Sequence, residues 1–339
     1  MRLLVIRLSA MGDVALTVPV IAAMRKQYPG AEIIMMTQKT FLPFFINVPG
    51  LTFFHPDFKG RHKGYTGLLR LSRELKKSVH PDRIIDLHDV LRSKILRTFF
   101  RLSGIPVYSI DKGRSEKRSL VTGKRKAFLK HSVERYSDVF SKAGYSVIPE
   151  KGALVTPGTT VIDTDLMPVE GMLNIGVAPF ARHKLKMWPA EYMLKLLMMI
   201  AAERSCRFYL FGGSDDAAGI KYFEEKIPGI ENTSGKLGLQ GELELMSRLD
   251  LMIAMDSSNM HMAALCGIKV ISIWGGTDPM AGFGAWMQPD NYAIRIPVEE
   301  LDCRPCTIYG KGETRNGFAC MKMLTPERVF ARLKTLNMI

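Results

Sequence analysis

Short apolar runs alternate with amphipathic stretches along most of the chain, and this alternation restricts the fold more than any other feature. Apolar runs followed by segments of helical period build βα units on a parallel sheet. In the first half, residues 2–8, 31–37, 51–54, 83–87 and 106–110 are predicted as strands, and 13–27, 64–79, 89–102 and 132–143 as helices. The pattern pauses over 150–171, where Pro157, Gly158, Pro168 and Gly171 stand with little periodicity and predict a linker. It then restarts, with strands at 172–178, 206–212, 229–233, 250–255 and 269–274 and helices at 189–203, 216–226, 239–248 and 257–267. The expected class is α/β, with two doubly wound Rossmann-like domains, 1–155 and 172–323. A final helix in 324–339 is opened by Thr325-Pro326-Glu327. Ligands of open α/β sheets sit at the carboxyl ends of strands, so the loops after 2–8, 172–178, 206–212 and 250–255 are expected to face a central cleft.

No apolar stretch reaches the roughly 18 residues of a membrane span. The start, Met-Arg-Leu-Leu-Val-Ile-Arg-Leu, carries a charge inside its apolar run and reads as a strand, not as a signal peptide. A soluble, cytoplasmic protein is expected. The net charge of +14 is unevenly placed: residues 1–150 hold 27 Lys or Arg against 12 Asp or Glu, and the remainder 20 against 21. Within 92–130, twelve cations face only Asp111 and Glu116, a field suited to an acidic membrane surface, a phosphorylated substrate or nucleic acid. A solvated surface is the plain alternative. Phe128 is the single aromatic residue of 111–130, which argues against a stacking platform for single-stranded nucleic acid. Cys303, Cys306 and Cys320 have a spacing that suits a metal, but no fourth ligand is evident nearby, and ordinary thiols or a facultative disulfide are expected.

Four strand-end motifs carry chemistry. Arg7-Leu8-Ser9-Ala10-Met11-Gly12-Asp13 ends a strand in a glycine turn without a dinucleotide or Walker fingerprint. Its Asp13 is either a helix N-terminal acid, whose replacement by Asn would cost about 0.3–1 kcal/mol, or a base facing the cleft. Pro19 requires the helix to start near Thr17 or to kink. The second motif, Pro179 to Pro189, sets Arg182, His183, Lys184 and Lys186 at a strand end, where they suit a diphosphate or form a solvated loop anchored by Trp188. The third, Phe211-Gly212-Gly213-Ser214-Asp215, joins a close backbone turn to an acid able to hold ribose hydroxyls. In the fourth, Asp256-Ser257-Ser258 leaves a strand and opens a helix whose free amides suit phosphate, with His261 either turned to the same place or half-buried in the core. Ile273 to Pro279 adds another glycine turn. Asp163-Thr164-Asp165 imitates a metal-holding acidic pattern, but it falls in the linker and reads as solvated.

Together these motifs resemble glycosyltransferase family 9, the heptosyltransferase family, over nearly the whole chain. The opening through Gly12-Asp13-Val14, with Leu16-Thr17-Val18-Pro19 following, looks like the family's N-terminal signature. Lys186 before Met187-Trp188-Pro189, Phe211-Gly212-Gly213, Asp256-Ser257-Ser258 with His261, and Trp274 to Pro279 fall in the family's order. The resemblance implies a GT-B fold, an acceptor held by the N-terminal domain, and an ADP-activated sugar held by the C-terminal domain. The expected function is an inverting transfer of heptose to a lipopolysaccharide inner-core acceptor without metal or cofactor; the alternatives are a GT-B enzyme using another nucleotide sugar, for transfer or epimerisation, and, more remotely, a non-catalytic or nucleic-acid-binding protein. The resemblance makes Asp13 the catalytic base and Lys186, Asp256, Ser257, Ser258, His261, Arg182 and Asp215 the donor contacts. Ser9, Gly12, Arg114, Lys117, Arg118 and Lys124 would then meet the anionic glycolipid acceptor at the inner membrane surface, and no nucleic-acid partner is expected. This chain departs from the family in having Ser257-Ser258 where Thr-Gly is common, and in the Phe180-Ala181-Arg182 stretch, which lacks hydroxyls that some members carry.

Overall fold

Parallel strands covered by helices on both faces must be apolar at consecutive positions. Residues 3–6, 33–36 and 251–255 meet that demand, every one of them buried. The computed structural model describes residues 1–156, 158, 166–313 and 316–339, so Pro157, Asp163 and Asp165 of the expected linker lie outside the described residues. The chain divides into two units, Met1–Lys112 with Ser132–Leu154, and Gly113–His131 with Val155–Ile339.

In the first unit β1 (Arg2–Ile6), β2 (Glu32–Met36), β3 (Leu51–Phe54), β4 (Arg83–Asp86) and β5 (Val107–Ser109) form an all-parallel sheet of order β3-β2-β1-β4-β5. The helix expected at 13–27 is two helices, α1 (Met11–Ala15) and α2 (Val18–Gln27), with Thr17 between them and Pro19 in the first turn of α2, where proline is tolerated. Helices α3 (Gly64–Ser78) and α4 (Leu91–Arg101) bury Leu68, Leu71, Leu75, Leu96 and Phe100 against Leu4, Ile6 and Ile84 of the sheet. The chain then contributes α5 (Arg114–Val121) to the second unit before α6 (Ser132–Lys142) returns to the first.

The second sheet, also parallel, has the order β11-β10-β9-β6-β7-β8, from β6 (Leu173–Ala178), β7 (Cys206–Leu210), β8 (Glu231–Asn232), β9 (Leu251–Met255), β10 (Lys269–Ile273) and β11 (Ala293–Ile294). Its helices are α7 (Ala190–Glu203), α8 (Ala217–Lys226), α9 (Gly238–Met246), α10 (Ser258–Leu265), α11 (Ala319–Lys322) and α12 (Pro326–Thr335). Thr325 caps α12 by accepting from the Arg328 amide at 3.4 Å.

The sequence reading ran the first domain unbroken to 155; in the structure 113–131 packs within the second unit. Leu120 and Leu129 join Met280, Ala281 and Ile308 in a small apolar cluster, and the Leu129 amide donates to the Met280 carbonyl at 2.8 Å. Gly282, at φ +81°, leaves no room for a Cβ beside the Lys130 carbonyl, which fixes glycine at that crossing. Among the described residues no helix is long and apolar enough to cross a membrane.

Candidate active site

In the first unit the chemistry gathers where β1 and β4 end. Arg7, one residue past β1, is only 4% exposed; its Nη1 donates to the Leu87 carbonyl at 2.6 Å, and its Nη2 lies 2.5 Å from Asp13 Oδ2. Burial lowers the Arg7 guanidinium and Tyr136, Asp13 and Asp86 raise it, the net direction being upward. Burial pushes the Tyr136 phenol well above its ordinary range, so it is uncharged near neutrality, and the standing counter-charge beside Arg7 is Asp13. The Asp13 carboxylate is about a third exposed, at 35%.

The turn after β4 is tied by buried charges. Asp86 Oδ1 accepts from the amides of His88 (2.9 Å) and Asp89 (3.1 Å); its Oδ2 lies 3.3 Å from Arg97 Nη1, and Arg97 Nη2 donates to Asp89 Oδ1 at 2.9 Å. This turn sets His88 Nε2 3.4 Å from Ser9 Oγ. Burial, followed by Arg7 and Lys112, lowers the His88 imidazole to about 3, so the ring is neutral beside the Asp13 turn. His88 is not among the residues expected from the sequence, although the strand-end rule, extended to the loop after 83–87, points to Asp86-Leu87-His88-Asp89.

In the second unit the basic loop after β6 closes in a single 3₁₀ turn, Lys184–Lys186. The buried Leu185 between its cations accepts from the Gly276 amide at 3.0 Å. The Lys186 stem lies over Gly310, where a Cβ would sit 2.8 Å from Lys186 Cγ. The ammonium so placed is 2.8 Å from Oδ2 of Asp256, itself 5% exposed at the end of β9. Ser257 follows in an extended conformation, φ −140°, as the N-cap of α10, yet its hydroxyl does not cap the helix and has no partner among the described residues. The first amides of α10 are therefore left without a side-chain acceptor beside a lysine, an arrangement that receives anions. Burial, then Lys186, Lys311 and Arg182, hold His183 below its ordinary range, the mark of a cationic field.

Behind this loop lies a buried pair absent from the sequence reading. Arg304 Nη2 is 3.2 Å from Asp278 Oδ2, both side chains fully buried, and Arg304 also donates to the carbonyls of Gly275 (3.1 Å) and Thr277 (3.1 Å). Burial pushes the Asp278 carboxyl up and the Arg304 guanidinium down, so their mutual attraction does not offset the loss of water. The pair ties the loop carrying Cys303 and Cys306 to the glycine turn after β10, and the Thr307 amide donates to the Gly276 carbonyl at 3.1 Å. Cys303 and Cys306 Sγ are 4.0 Å apart, and all five cysteines are free thiols. Among the described residues no cluster of three or more His, Cys, Asp or Glu is arranged to hold a metal.

The structure brings Lys186 and Asp256 together and sets Ser257, Ser258 and the buried His261 on the helix that follows. Arg182 is exposed on the same loop as Lys186. Asp215 is exposed in the 3₁₀ turn Ser214–Asp216, where its neighbour Asp216 accepts from the Gly213 amide at 2.8 Å. Ser9 meets His88, and Gly12 lies in α1 beside Asp13. Arg114, Arg118 and Lys124 are exposed on the 113–131 segment, which belongs to the second unit. Lys117 departs from the expected exposed face: it is 5% exposed, with Nζ 4.0 Å from the centre of the Phe283 ring, so its stem and charge are spent on packing.

Two parallel, doubly wound α/β units are the architecture of the GT-B fold. Residues 68–307 match the model of glycosyltransferase family 9 (heptosyltransferase), and the chain belongs to that family. It is 24% identical over 324 residues to lipopolysaccharide heptosyltransferase 1 of Escherichia coli (strain K12), covering 89% of this chain and 95% of that protein. Among solved structures it is similar to a family 9 glycosyl transferase from Veillonella parvula DSM 2008, with a TM-score of 0.73, 19% identity and coverage of 99% of this chain and 96% of that one. It is also similar to the E. coli heptosyltransferase WaaC with ADP, with a TM-score of 0.68, 18% identity and coverage of 99% of each chain.

Proposed function

We propose that the protein transfers heptose from ADP-heptose to a lipopolysaccharide inner-core acceptor, with inversion and without a metal. On this reading the second unit binds the donor and the first binds the acceptor. The observation that carries it is the Lys186–Asp256 pair, 2.8 Å apart, at the N-terminus of α10, where the Ser257 hydroxyl leaves the helix amides uncapped. A cation and free amides stabilise the negative charge that develops on a departing diphosphate, and an adjacent buried carboxylate accepts from sugar hydroxyls. Asp13 takes the proton of an acceptor hydroxyl as that oxygen forms its bond to the anomeric carbon, the bond from that carbon to the diphosphate breaks, and ADP carries away the electron pair. His88, neutral, and Ser9 line the Asp13 turn and position the acceptor. The exposed Arg114, Arg118 and Lys124 attract its acidic groups, and the protein works as a cytoplasmic enzyme at the inner face of the membrane.

The reading is supported by family membership and by relatives named as lipopolysaccharide heptosyltransferases, one of them solved with ADP. Its test is calorimetry of ADP binding to Lys186→Ala, with a product-forming screen of nucleotide sugars alongside. Losing a charge-assisted contact weakens binding by about 1.5–3 kcal/mol. Unchanged ADP affinity makes Lys186 no more than the counter-charge of Asp256. A screen in which another nucleotide sugar turns over better replaces ADP-heptose as donor.

A further inference from the structure

The outer face of α4 is unusual for a helix at a protein surface. Its inner side, Leu96, Phe99 and Phe100, joins the core of the first unit, and the opposite side should be polar. Instead Leu91, Thr98 and Leu102 are exposed at helical spacing along the outward stripe, with Ile95 between them half-buried and packed on the core. Leu91 is 76% exposed and Leu102, the C-cap, 81%. Cations flank this stripe on both sides: Lys94 and Arg101 on one, and Arg92, whose guanidinium lies 4.1 Å from the centre of the Phe58 ring, on the other. The neighbouring α3 continues the pattern. Its Tyr65 is 63% exposed with its ring edge-on to Phe99 at 5.5 Å, and Arg70, Arg73 and Lys77 are exposed along it. The nearest acids are already engaged, Glu74 by Arg61 and His62, and Asp89 by Arg97 and, at 3.8 Å, by Lys94, which leaves Arg101, Arg92, Arg70, Arg73 and Lys77 as the cations of the face.

We propose that this α3–α4 face docks on an anionic lipid bilayer, with Leu91 and Leu102 entering the acyl boundary and the flanking cations meeting the headgroups. An apolar line bordered by cations, with an aromatic at its edge, is the composition of a helix lying in a membrane interface. A protein partner fits less well, because two leucines and one tyrosine fall far short of the roughly 800 Å² that each side of a stable interface buries. The proposal builds on the reading that the acceptor is a membrane glycolipid, yet its test needs no acceptor.

The full chain is sedimented with vesicles of phosphatidylcholine alone and of phosphatidylcholine mixed with phosphatidylglycerol. Binding is expected to the mixed vesicles only, to weaken with salt, and to fall about tenfold or more in Leu91→Ser/Leu102→Ser. Arg101→Gln/Lys77→Gln is expected to bind more weakly with a flatter salt dependence. Because all four side chains are exposed, ADP affinity and melting temperature stay at the parent values and report that the variants are folded. The proposal is overturned if the parent does not bind the mixed vesicles, or if the leucine variant binds as the parent does, which moves the docking surface to the cations of 113–131. It is equally overturned if the parent sediments as a dimer in solution and the leucine variant as a monomer, which makes the face a contact between copies of this chain.

Discussion

Replacing Asp13 by Asn removes a proton acceptor and, with it, the counter-charge of a buried arginine, and the two effects have different sizes. As a general base, Asp13 contributes a factor of about 10²–10⁴ in turnover, equivalent to roughly 3–5.5 kcal/mol of transition-state stabilisation. As a helix-end acid alone it would contribute about 0.3–1 kcal/mol of stability. The structure raises that figure, because Arg7, 4% exposed, lies 2.5 Å from the carboxylate. Breaking a fully buried pair costs about 3–5 kcal/mol, but Asp13 is 35% exposed, and water reaching the site reduces the cost to about 1–3 kcal/mol. At about 2–4 °C per kcal/mol for units of this size, the melting temperature falls by about 2–12 °C. Turnover is followed by ADP release well below the new melting point, with ADP affinity measured separately and expected to stay within about twofold. Adding Arg7→Met to Asp13→Asn removes the stranded cation, so the double variant regains stability while turnover stays low. Near-normal turnover in the folded Asn variant, or recovery of turnover together with stability in the double variant, refutes the assignment of Asp13 as the base.

Two further consequences are open to direct measurement. His88 is neutral in the folded state down to about pH 3 but titrates near 6.5 when unfolded, so the unfolded chain binds the extra proton and stability falls as the pH drops below 6.5. Denaturant midpoints should show a loss of about 3 kcal/mol from this group between pH 6.5 and pH 4, and His88→Gln should remove that part of the slope; an unaltered slope places the acid sensitivity elsewhere. Arg304→Met removes one arginine from the buried Asp278 carboxylate, Arg295 remaining 3.7 Å away, at a cost of about 1–3 kcal/mol, and frees the cysteine loop, so Cys303 and Cys306 should react faster with a thiol reagent; equal rates would show that Arg304 does not hold the loop.

The parallel strands were legible because burial on both faces leaves no room for polar residues, and β1, β2 and β9 lie where the apolar runs predict them. Asp13, Lys186 and Asp256 were legible because each stands at a strand end beside a glycine turn, a serine pair or other cations. What escaped depends on distant partners. Arg7 looked like an interruption of an apolar run, and only folding delivers Asp13 and the Leu87 carbonyl to it. The 113–131 segment shows little periodicity beyond Leu120 and Leu129, whose apolar partners Met280 and Ile308 lie far along the chain. Lys117 was counted with the exposed cations because a charge alone does not reveal an aromatic ring beneath it. Arg304 sits between two cysteines that drew attention to metal or thiol chemistry, whereas its own work is to hold the turn after β10.

The Lys186–Asp256 pair also bears on how a donor would be recognised. Asp256 is buried, and Lys186 is 2.8 Å away as its counter-charge. A diphosphate arriving at the start of α10 competes for that ammonium, and a nucleotide diphosphate without a sugar offers the carboxylate nothing in exchange. An intact nucleotide sugar offers hydroxyl donors to Asp256 as the diphosphate draws Lys186 toward itself, so the two exchanges compensate each other. On the proposed function, binding of the sugar and of the diphosphate are then coupled through one ion pair, and a selectivity for a complete nucleotide sugar over the bare nucleoside diphosphate is expected from the burial of Asp256. Asp256→Asn breaks that coupling: it releases Lys186 to the phosphates, so ADP should bind at least as tightly as to the parent, while the advantage of the sugar-bearing donor over ADP shrinks.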